Sequence, residues 1–266
     1  RLGFPNTNMT SQAPLRTVLT GAGTGIGRAT ALRFAREGAT LLLVGRRAEP
    51  LKEVAAETGA EIAALDVSEE GAMSVAVSSF AKKHGGLDAL VANAGVNPQR
   101  ESALGTHDEA WLEAMRINLQ GTHRSCQAAL EVMLKQDPVG DWDIPVPVRG
   151  SIVTVGSIAG LAGMKDRAAY GPSKAGIINY TQALAIDYGP QGIRANCVCP
   201  GFVKTDINRG WIENLPAEEL RTITNRHALG MGTPEAVADA IYFLATRESR
   251  WITGVALPVD GGWRAS

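Results

Sequence analysis

The sequence predicts a single-domain α/β protein built on a doubly wound, seven-stranded parallel sheet. A short apolar run, a turn of small residues and a longer amphipathic segment follow one another repeatedly, a pattern typical of parallel strands joined by helices that cover both faces of the sheet. The length of 266 residues agrees, because such a chain can bury about three quarters of its unfolded surface in one core. We expect one domain over residues 16–266 and an extension, residues 1–15, that is disordered at its start.

Composition and charge argue against several classes of protein. The net charge is −1 and the pI is about 6.5, and no basic patch suggests nucleic-acid binding. No apolar run approaches the roughly 18 residues that a membrane-spanning helix needs, and no segment has the features of a signal peptide. Three cysteines, Cys126, Cys197 and Cys199, predict buried, reduced thiols rather than a metal site or a disulfide. We therefore expect a cytoplasmic protein without a metal.

The first strand, Arg16–Thr20, runs into a glycine-rich turn and a helix that ends near Gly38. The turn has the spacing G-x-x-x-G-x-G, and its residues of interest are Gly21, Thr24, Gly25, Ile26 and Gly27. Glycines let the backbone approach a pyrophosphate, and the start of the next helix offers unpaired N–H groups to it. Tight packing of a strand against a helix is the alternative explanation, and we favour phosphate binding.

Two arginines follow the second strand, Thr40–Gly45. Arg46 and Arg47 stand where a carboxylate would bind an adenosine ribose and repel a 2′-phosphate. Guanidinium groups suit phosphate, so this pair favours a ribose that carries a phosphate. The simpler alternative is that both side chains are solvated charges near a helix start.

Further polar or small residues follow the third and fourth strands, predicted at residues 61–65 and 87–92. These residues are Asp66, Val67, Asn93, Ala94 and Gly95. The carboxyl ends of parallel strands meet at one edge of a sheet, so we expect these residues to line one crevice. Asp66 could also cap the helix that follows it.

Residues 108–136 have the apolar spacing of a helix with Asn118 in its middle. Asparagine is a poor residue inside a helix, so its presence predicts a local distortion or a specific hydrogen bond; a solvent-facing side chain is the alternative. The next segment, residues 137–149, contains three prolines. It connects a helix to a strand, so we expect a surface loop or subunit contact at the sheet edge opposite the crevice.

Tyr170, Lys174 and Ser157 are the strongest candidates for chemistry. In a helix that starts near Ala168, the four-residue spacing puts Tyr170 and Lys174 on one face, where the ammonium favours ionisation of the phenol. The apolar strand at residues 152–155 would deliver the Ser157 hydroxyl to the same crevice. A chance Tyr-x-x-x-Lys occurs in about one such chain in ten, so the pair gains meaning only from its surroundings.

The remaining segments complete the alternating pattern. A sixth strand at residues 193–198 leads to Pro200 and Gly201, and a last strand covers residues 255–259. Residues 207–227 form either a mobile lid over the substrate or an ordinary surface helix. A helix over residues 233–245 begins with a proline in its first turn.

These motifs together resemble the short-chain dehydrogenase/reductase family. The resemblance rests on the run TGAGTGIG at residues 20–27 with Ser157, Tyr170 and Lys174, and it extends from Arg16 to Trp263. It implies a Rossmann-like fold, a homotetramer or homodimer, and a nicotinamide cofactor. A small residue followed by arginine after the second strand goes with a preference for NADP(H) in this family, with NAD(H) as the alternative.

The resemblance also implies individual roles. It assigns the adenine to Asp66 and Val67, the floor beneath the cofactor to residues 93–95, and a water relay to Asn118. The residues that it places around the nicotinamide are Pro200, Gly201, Val203 and Thr205, and its catalytic residues are Asn118, Ser157, Tyr170 and Lys174. Tyr170 and Lys174 contact the cofactor as well. Family members have two asparagines in the motif that ends the fourth strand, residues 92–95 here, and Ala92 replaces the first.

The predicted function is hydride transfer between the nicotinamide and a secondary alcohol or ketone, with Tyr170 as general acid and base. A 3-oxoacyl group, a sugar or polyol, or another small carbonyl would fit, and the expected pocket residues are Asn97, residues 163–167 and Phe202. One rival is a non-catalytic NADP-binding sensor or scaffold on the same fold. The other is a relative that runs a different reaction, such as enoyl reduction.

Overall fold

A computed structural model describes residues 14–139, 142–205 and 208–265. Within these ranges the predicted α/β class and the seven parallel strands are confirmed. The expected disorder of the N-terminal extension concerns residues that lie almost entirely outside the described ranges, as do residues 140–141 of the 137–149 segment and the first residue of the predicted lid.

The strands form one sheet in the order β3-β2-β1-β4-β5-β6-β7. They are β1 (Arg16–Thr20), β2 (Thr40–Gly45), β3 (Glu61–Ala64), β4 (Ala89–Ala92), β5 (Gly150–Val155), β6 (Ile193–Pro200) and β7 (Ala256–Val259). Strand order reverses between β1 and β4, so the connections leave β1 and β4 in opposite directions and open a crevice at the carboxyl ends of these strands.

Helices cover both faces of the sheet. They are α1 (Gly25–Arg36), α2 (Ala48–Thr58), α3 (Ala72–His84), α4 (Asp108–Ala114), α5 (Gly121–Met133), α6 (Ile158–Leu161), α7 (Tyr170–Tyr188), α8 (Arg209–Glu213), α9 (Ala217–Asn225) and α10 (Pro234–Ala245). Side chains of α3, α5 and α7 pack on one face, and those of α1, α2 and α10 pack on the other. Because both faces are covered, the central strands are buried without alternation between the two faces.

The element boundaries differ from the sequence prediction where side chains replace backbone pairing. The fourth strand starts at Ala89 rather than at residue 87, since the Gln136 amide pairs with the Leu87 peptide: its Oε1 accepts from Leu87 N at 2.9 Å and its Nε2 donates to Leu87 O at 2.7 Å. At the other end, β6 continues to Pro200 because Cys199 and Pro200 pair with β7.

The three cysteines are buried, as predicted. Cys197 and Cys199 lie on the same side of β6, with their sulfur atoms 3.8 Å apart. Burial raises the pKa of the Cys126 thiol. Within the described ranges, no cluster of three or more histidine, cysteine or acidic side chains could hold a metal ion.

None of the helices in the described part of the chain combines the length and the apolar character needed to cross a membrane.

Arg194, the second residue of β6, joins the sheet to the end of α10. Its side chain is buried and donates hydrogen bonds to three carbonyl oxygens and two hydroxyl groups, those of Leu244, Thr246, Ile252, Ser151 and Ser249. Burial lowers the pKa of Arg194 to about 10, which still leaves the group charged at neutral pH. The carbonyl dipoles, rather than a carboxylate, stabilise this cation.

Trp142 from the 137–149 segment covers the same guanidinium, with the Arg194 Cζ 5.2 Å from its ring centroid. Arg149 N also donates to Gly192 O at 2.7 Å, immediately before β6. The described part of this segment therefore lies at the amino ends of β5 and β6, away from the crevice, as the sequence predicts.

We expect Arg194→Lys to lower the free energy of unfolding by about 2 to 4 kcal/mol. Lysine keeps the charge but cannot reach the five acceptors with a single ammonium, so buried acceptors lose their partners. Urea unfolding followed by circular dichroism measures the change. Arg250→Lys, at an exposed arginine, is the control, and equal unfolding midpoints for the two variants would contradict this account.

Candidate active site

A large cleft of about 450 Å³ lies at the carboxyl ends of β1, β2, β3 and β4. It brings together most of the sequence-predicted cofactor residues: Gly21, Thr24, Gly25, Ile26, Gly27, Arg46, Arg47, Asp66, Val67, Asn93, Ala94, Gly95 and Thr205. A second, narrower space of about 130 Å³, the catalytic cleft, continues from it and is lined by Ser157, Tyr170, Lys174, Pro200, Gly201 and Val203 among others. The two share Ile26, Asn93 and Gly95, so they form one continuous groove.

The glycine-rich turn packs tightly, as one of the two explanations predicts, and phosphate binding stays a prediction. Gly21 and Gly25 have φ values of 65° and 53°, a conformation that glycine adopts without strain. A Cβ at Gly27 would collide with the carbonyl oxygen of Gly21, so this glycine is needed for packing. The result is an open backbone ahead of the N-terminus of α1, where N–H groups are available to an anion.

Thr20 and Asn93 fasten this turn to the end of β4. The Thr20 hydroxyl accepts hydrogen bonds from the backbone N–H groups of Asn93 and Ala94, both at 3.0 Å. In return, the Asn93 side chain donates to the carbonyl oxygens of Thr20 and Gly21, both at 3.1 Å. The turn after β4 thus remains anchored although Ala92 replaces the first asparagine.

The Asp66 side chain stabilises a turn and does not cap the next helix. Its Oδ1 accepts from the N–H and the hydroxyl of Ser68, at 2.8 and 2.7 Å, and Gly71 is the residue that precedes α3. The alternative that Asp66 caps the next helix is wrong, because the chain makes an extra turn first. Burial raises the pKa of this carboxyl, but the Ser68 hydrogen bonds and the charge of Arg116 outweigh it, and the net pKa is lowered.

Arg46 and Arg47 are exposed at the end of β2, on the wall of the large cleft. Neither forms an ion pair with a carboxylate of the described residues. Both guanidinium groups are therefore available to a ligand in the cleft.

Asn118 lies in a π-helical turn, Met115–Gln120, between α4 and α5. It is fully buried, so the solvent-facing alternative is wrong. Its Oδ1 accepts from Val96 N at 2.7 Å, and its Nδ2 donates to Val96 O at 3.0 Å and to Ser173 Oγ at 2.9 Å. The sequence offered a distortion or a specific hydrogen bond as explanations, and both are present.

Ser157, Tyr170 and Lys174 meet in the catalytic cleft. Ser157 precedes α6 and accepts from Ala159 N at 3.1 Å, which orients its hydroxyl. Tyr170 is the first residue of α7, and Lys174 stands one turn later with its Nζ 5.7 Å from the tyrosine ring centroid. The buried ammonium donates to Val155 O at 2.9 Å. This is the face-sharing pair that the spacing predicts.

Three residues that support the site were missed by the sequence analysis. Ser173 donates to Tyr170 O at 2.7 Å while it accepts from Asn118. Asn208 accepts from Thr205 N at 2.9 Å and donates to Val203 O at 2.7 Å. His227 Nε2 accepts from Phe202 N at 3.1 Å, and its Nδ1 lies 2.8 Å from Ile223 O. Their side chains hold loops together, and no sequence motif marks such contacts.

The segment predicted as a lid contains two helices, α8 and α9. Trp211 from α8 packs on Phe202 with ring centroids 5.8 Å apart, and both side chains line a small pocket that adjoins the catalytic cleft. Its mobility stays a prediction.

A search for related proteins agrees with this architecture. The family model described as enoyl-(acyl carrier protein) reductase matches residues 21–264. The 3-oxoacyl-(acyl-carrier-protein) reductase FabG of Chlamydia muridarum is 36% identical over 253 residues, covering 92% of this chain and 95% of the relative. The L-rhamnose 1-dehydrogenase (NAD(P)(+)) of Azotobacter vinelandii is 38% identical over 260 residues, with 92% and 94% covered.

Among solved structures, a short-chain dehydrogenase/reductase family oxidoreductase from Burkholderia thailandensis superposes with a TM-score of 0.83 at 33% identity, covering 96% of this chain and 94% of that one. The fold and the groove are those of a dinucleotide-binding α/β protein. The chain belongs to the short-chain dehydrogenase/reductase family, and it is an NAD(P)-dependent oxidoreductase.

We expect Ser173→Ala to lower the free energy of unfolding by about 1 to 3 kcal/mol. The substitution removes one oxygen, so one of the two hydrogen bonds that the buried Asn118 Nδ2 donates is lost. Thermal and urea unfolding measure the effect. Ser78→Ala on the exposed face of α3 is the matched control, and a loss no larger than that of the control would show that this hydrogen bond does not support the site.

Proposed function

We propose that the protein transfers hydride between NADP(H) and a secondary alcohol or its ketone, with Tyr170 as the general acid and base. The observation that carries the proposal is the meeting of Ser157, Tyr170 and Lys174 in a cleft that continues from the glycine-rich turn. This arrangement suits proton transfer to an oxygen held at the carboxyl ends of β4, β5 and β6.

The groove suits a dinucleotide phosphate. The turn leads into the start of α1, where no side chain of the described residues caps the first N–H groups, and this supports binding of a pyrophosphate. Arg46 and Arg47 line the same cleft, which supports contact with a phosphate on the adenosine ribose. Asp66 and Val67 line the expected adenine end, and Pro200, Gly201, Val203 and Thr205 the nicotinamide end. The nicotinamide supplies or accepts the hydride when it is bound.

The residues of the chain supply the proton and the polar environment. In the reducing direction, Tyr170 donates its phenolic proton to the substrate oxygen, and the Ser157 hydroxyl hydrogen-bonds the developing alkoxide. The nearby charge of Lys174 stabilises the phenolate that results. Asn118 holds the water relay that returns a proton from solvent. In the oxidising direction each step is reversed.

The substrate is proposed to be a 3-oxoacyl compound, a sugar or polyol, or another small carbonyl. Relatives named as a 3-oxoacyl reductase, a butanediol dehydrogenase and a rhamnose dehydrogenase support this range. A non-catalytic NADP-binding sensor or scaffold is the alternative, and no contact at the site favours it.

We also propose a cytoplasmic homotetramer or homodimer. Buried thiols suit a reducing compartment. Trp111 and Leu112, side by side on α4, are 39% and 63% exposed, which suits a helix that packs against a second copy.

We expect NADPH to bind more tightly than NADH. Arg46→Ala should weaken NADPH binding by about 1.5 to 3 kcal/mol, which is the contribution of a charged hydrogen bond, and should have little effect on NADH binding. Fluorescence titration of both cofactors measures this. Arg36→Ala, at an exposed arginine on α1, is the control. Equal or tighter binding of NADH by the native protein would refute the preference for NADP(H).

We expect Tyr170→Phe to lower kcat by about 100-fold or more while NADPH binding is retained, because the phenolic proton is lost but the ring remains. The assay follows NADPH absorbance with ethyl acetoacetate and diacetyl, and NADP reduction with meso-2,3-butanediol and L-rhamnose. Tyr188→Phe at the other end of α7 is the control. Undiminished turnover in Tyr170→Phe would remove Tyr170 from the mechanism.

A further inference from the structure

Arg167 lines a small side pocket that opens from the catalytic cleft. This side pocket of about 70 Å³ includes Ser157 and Tyr170 on one side and Phe202, Met164 and Trp211 on the other. The Arg167 Cζ lies 5.6 Å from the ring centroid of Tyr170. The guanidinium therefore stands beside the residues that would hold the reacting oxygen.

The hydrogen bonding of Arg167 is incomplete. Its Nη1 donates to Asn97 Oδ1 at 2.7 Å, which is a neutral acceptor. An arginine has five N–H donors, and within the described ranges no other hydrogen bond and no ion pair to a carboxylate uses them. Donors remain for a ligand in the side pocket.

Partial burial of the charged Arg167 guanidinium costs free energy at this position. The side chain is half-buried, and burial, together with the charge of Arg100, lowers its pKa to about 10, although Tyr170 and Asp166 act in the opposite direction. Arg167 is therefore a cation at neutral pH. Arg100 stacks on Trp211, with its Cζ 4.2 Å from the ring centroid. The charges of Arg167 and Arg100 repel each other, and the Asp166 carboxylate offsets part of this repulsion. An anionic ligand in the pocket would relieve more of it.

The volume of the side pocket, about 70 Å³, restricts the size of the anion that it can hold. The side pocket and the catalytic cleft share Asn97, Ser157, Tyr170, Gly201 and Asn208, so a group in the pocket is close to the reacting carbonyl. A planar carboxylate fits this space and matches the paired donors of a guanidinium.

We propose that Arg167 is a specificity-determining residue that binds a carboxylate of the substrate, and that the protein acts on small oxo acids or the corresponding hydroxy acids. The inference rests on the proposed hydride transfer at Tyr170. It narrows the substrate from any small carbonyl compound to one that carries an anionic group near the carbonyl.

The test compares acids with their neutral esters. NADPH-linked reduction of acetoacetate and levulinate is measured beside that of methyl acetoacetate and methyl levulinate, on the native protein, Arg167→Gln, Arg167→Lys and the exposed control Arg36→Gln. We expect the native protein to prefer the acids by at least about tenfold in kcat/KM. Arg167→Gln should lower kcat/KM for the acids by about 10- to 100-fold, mainly by raising KM, and should leave kcat/KM for the esters nearly unchanged.

Arg167→Lys should keep part of the preference, because it retains the charge without the paired donors. A native protein that prefers the esters, or an equal loss for acids and esters in Arg167→Gln, would overturn the proposal and indicate a structural role through Asn97. Circular dichroism verifies that each variant is folded.

A binding measurement separates this proposal from the proposed function. Levulinate is titrated by calorimetry into the protein saturated with NADP⁺. If levulinate binds the native protein and Arg167→Gln abolishes this binding, the anion site is supported. If, in addition, no compound of the panel is reduced, only the hydride-transfer proposal is contradicted. Absence of levulinate binding, or binding that Arg167→Gln leaves unchanged, refutes the anion site.

Discussion

The buried side chain of Asn118 is the contact on which the geometry of the site depends. An asparagine amide in an apolar interior must be fully hydrogen-bonded, since each unsatisfied group costs about 1 to 3 kcal/mol. Here its partners are the Val96 peptide after β4 and Ser173 in the first turn of α7. One side chain therefore fixes the distance between the floor of the cofactor cleft and the helix that carries Tyr170 and Lys174. A Cβ at Gly95 would lie 3.0 Å from Asn118 Oδ1 and 3.4 Å from Lys174 Nζ, so a larger residue there would have to displace the Asn118 side chain by a few tenths of an ångström.

The sequence predicts the fold and the position of the site because both follow from local patterns. Strands that are buried on both faces appear as continuous apolar runs, and ligand residues appear where those runs end. Arg46, Asp66, Asn93, Ser157 and Pro200 each follow or end a different strand, and the structure gathers them along one groove. Tyr170 and Lys174 depend only on helical spacing, which the sequence shows directly.

Contacts between loops and side chains far apart in the chain could not be predicted in this way. Gln136 pairs with the Leu87 peptide, Arg194 with the end of α10, and His227 with the turn after β6. Each replaces a backbone hydrogen bond with a side-chain one across a long sequence separation, and a single sequence carries no signal for such a pairing. The same holds for Asp66. The sequence allows this residue to cap the next helix, and only the extra turn at Ser68 excludes that role. At Asn118 the sequence predicts a local distortion only as one of several alternatives and does not specify a π-helical turn, because propensity shows that a residue is unfavourable in a helix but not how the backbone responds.

Whether an arginine without an ion pair indicates a ligand site depends on how deeply its side chain is buried. Arg46 and Arg47 are exposed, and an exposed cation is stabilised by water whether or not a phosphate binds. Their position at the end of β2, rather than their lack of ion pairs within the described ranges, is what supports the proposed phosphate contact. Arg167 differs, because it is half-buried and its pKa is lowered to about 10. The folded protein thus bears a desolvation cost at this position that the Asn97 amide and the nearby Asp166 carboxylate offset only in part. A substrate carboxylate would offset the remainder at the moment of binding, so part of the cost of this cation becomes selectivity for anionic over neutral carbonyl compounds.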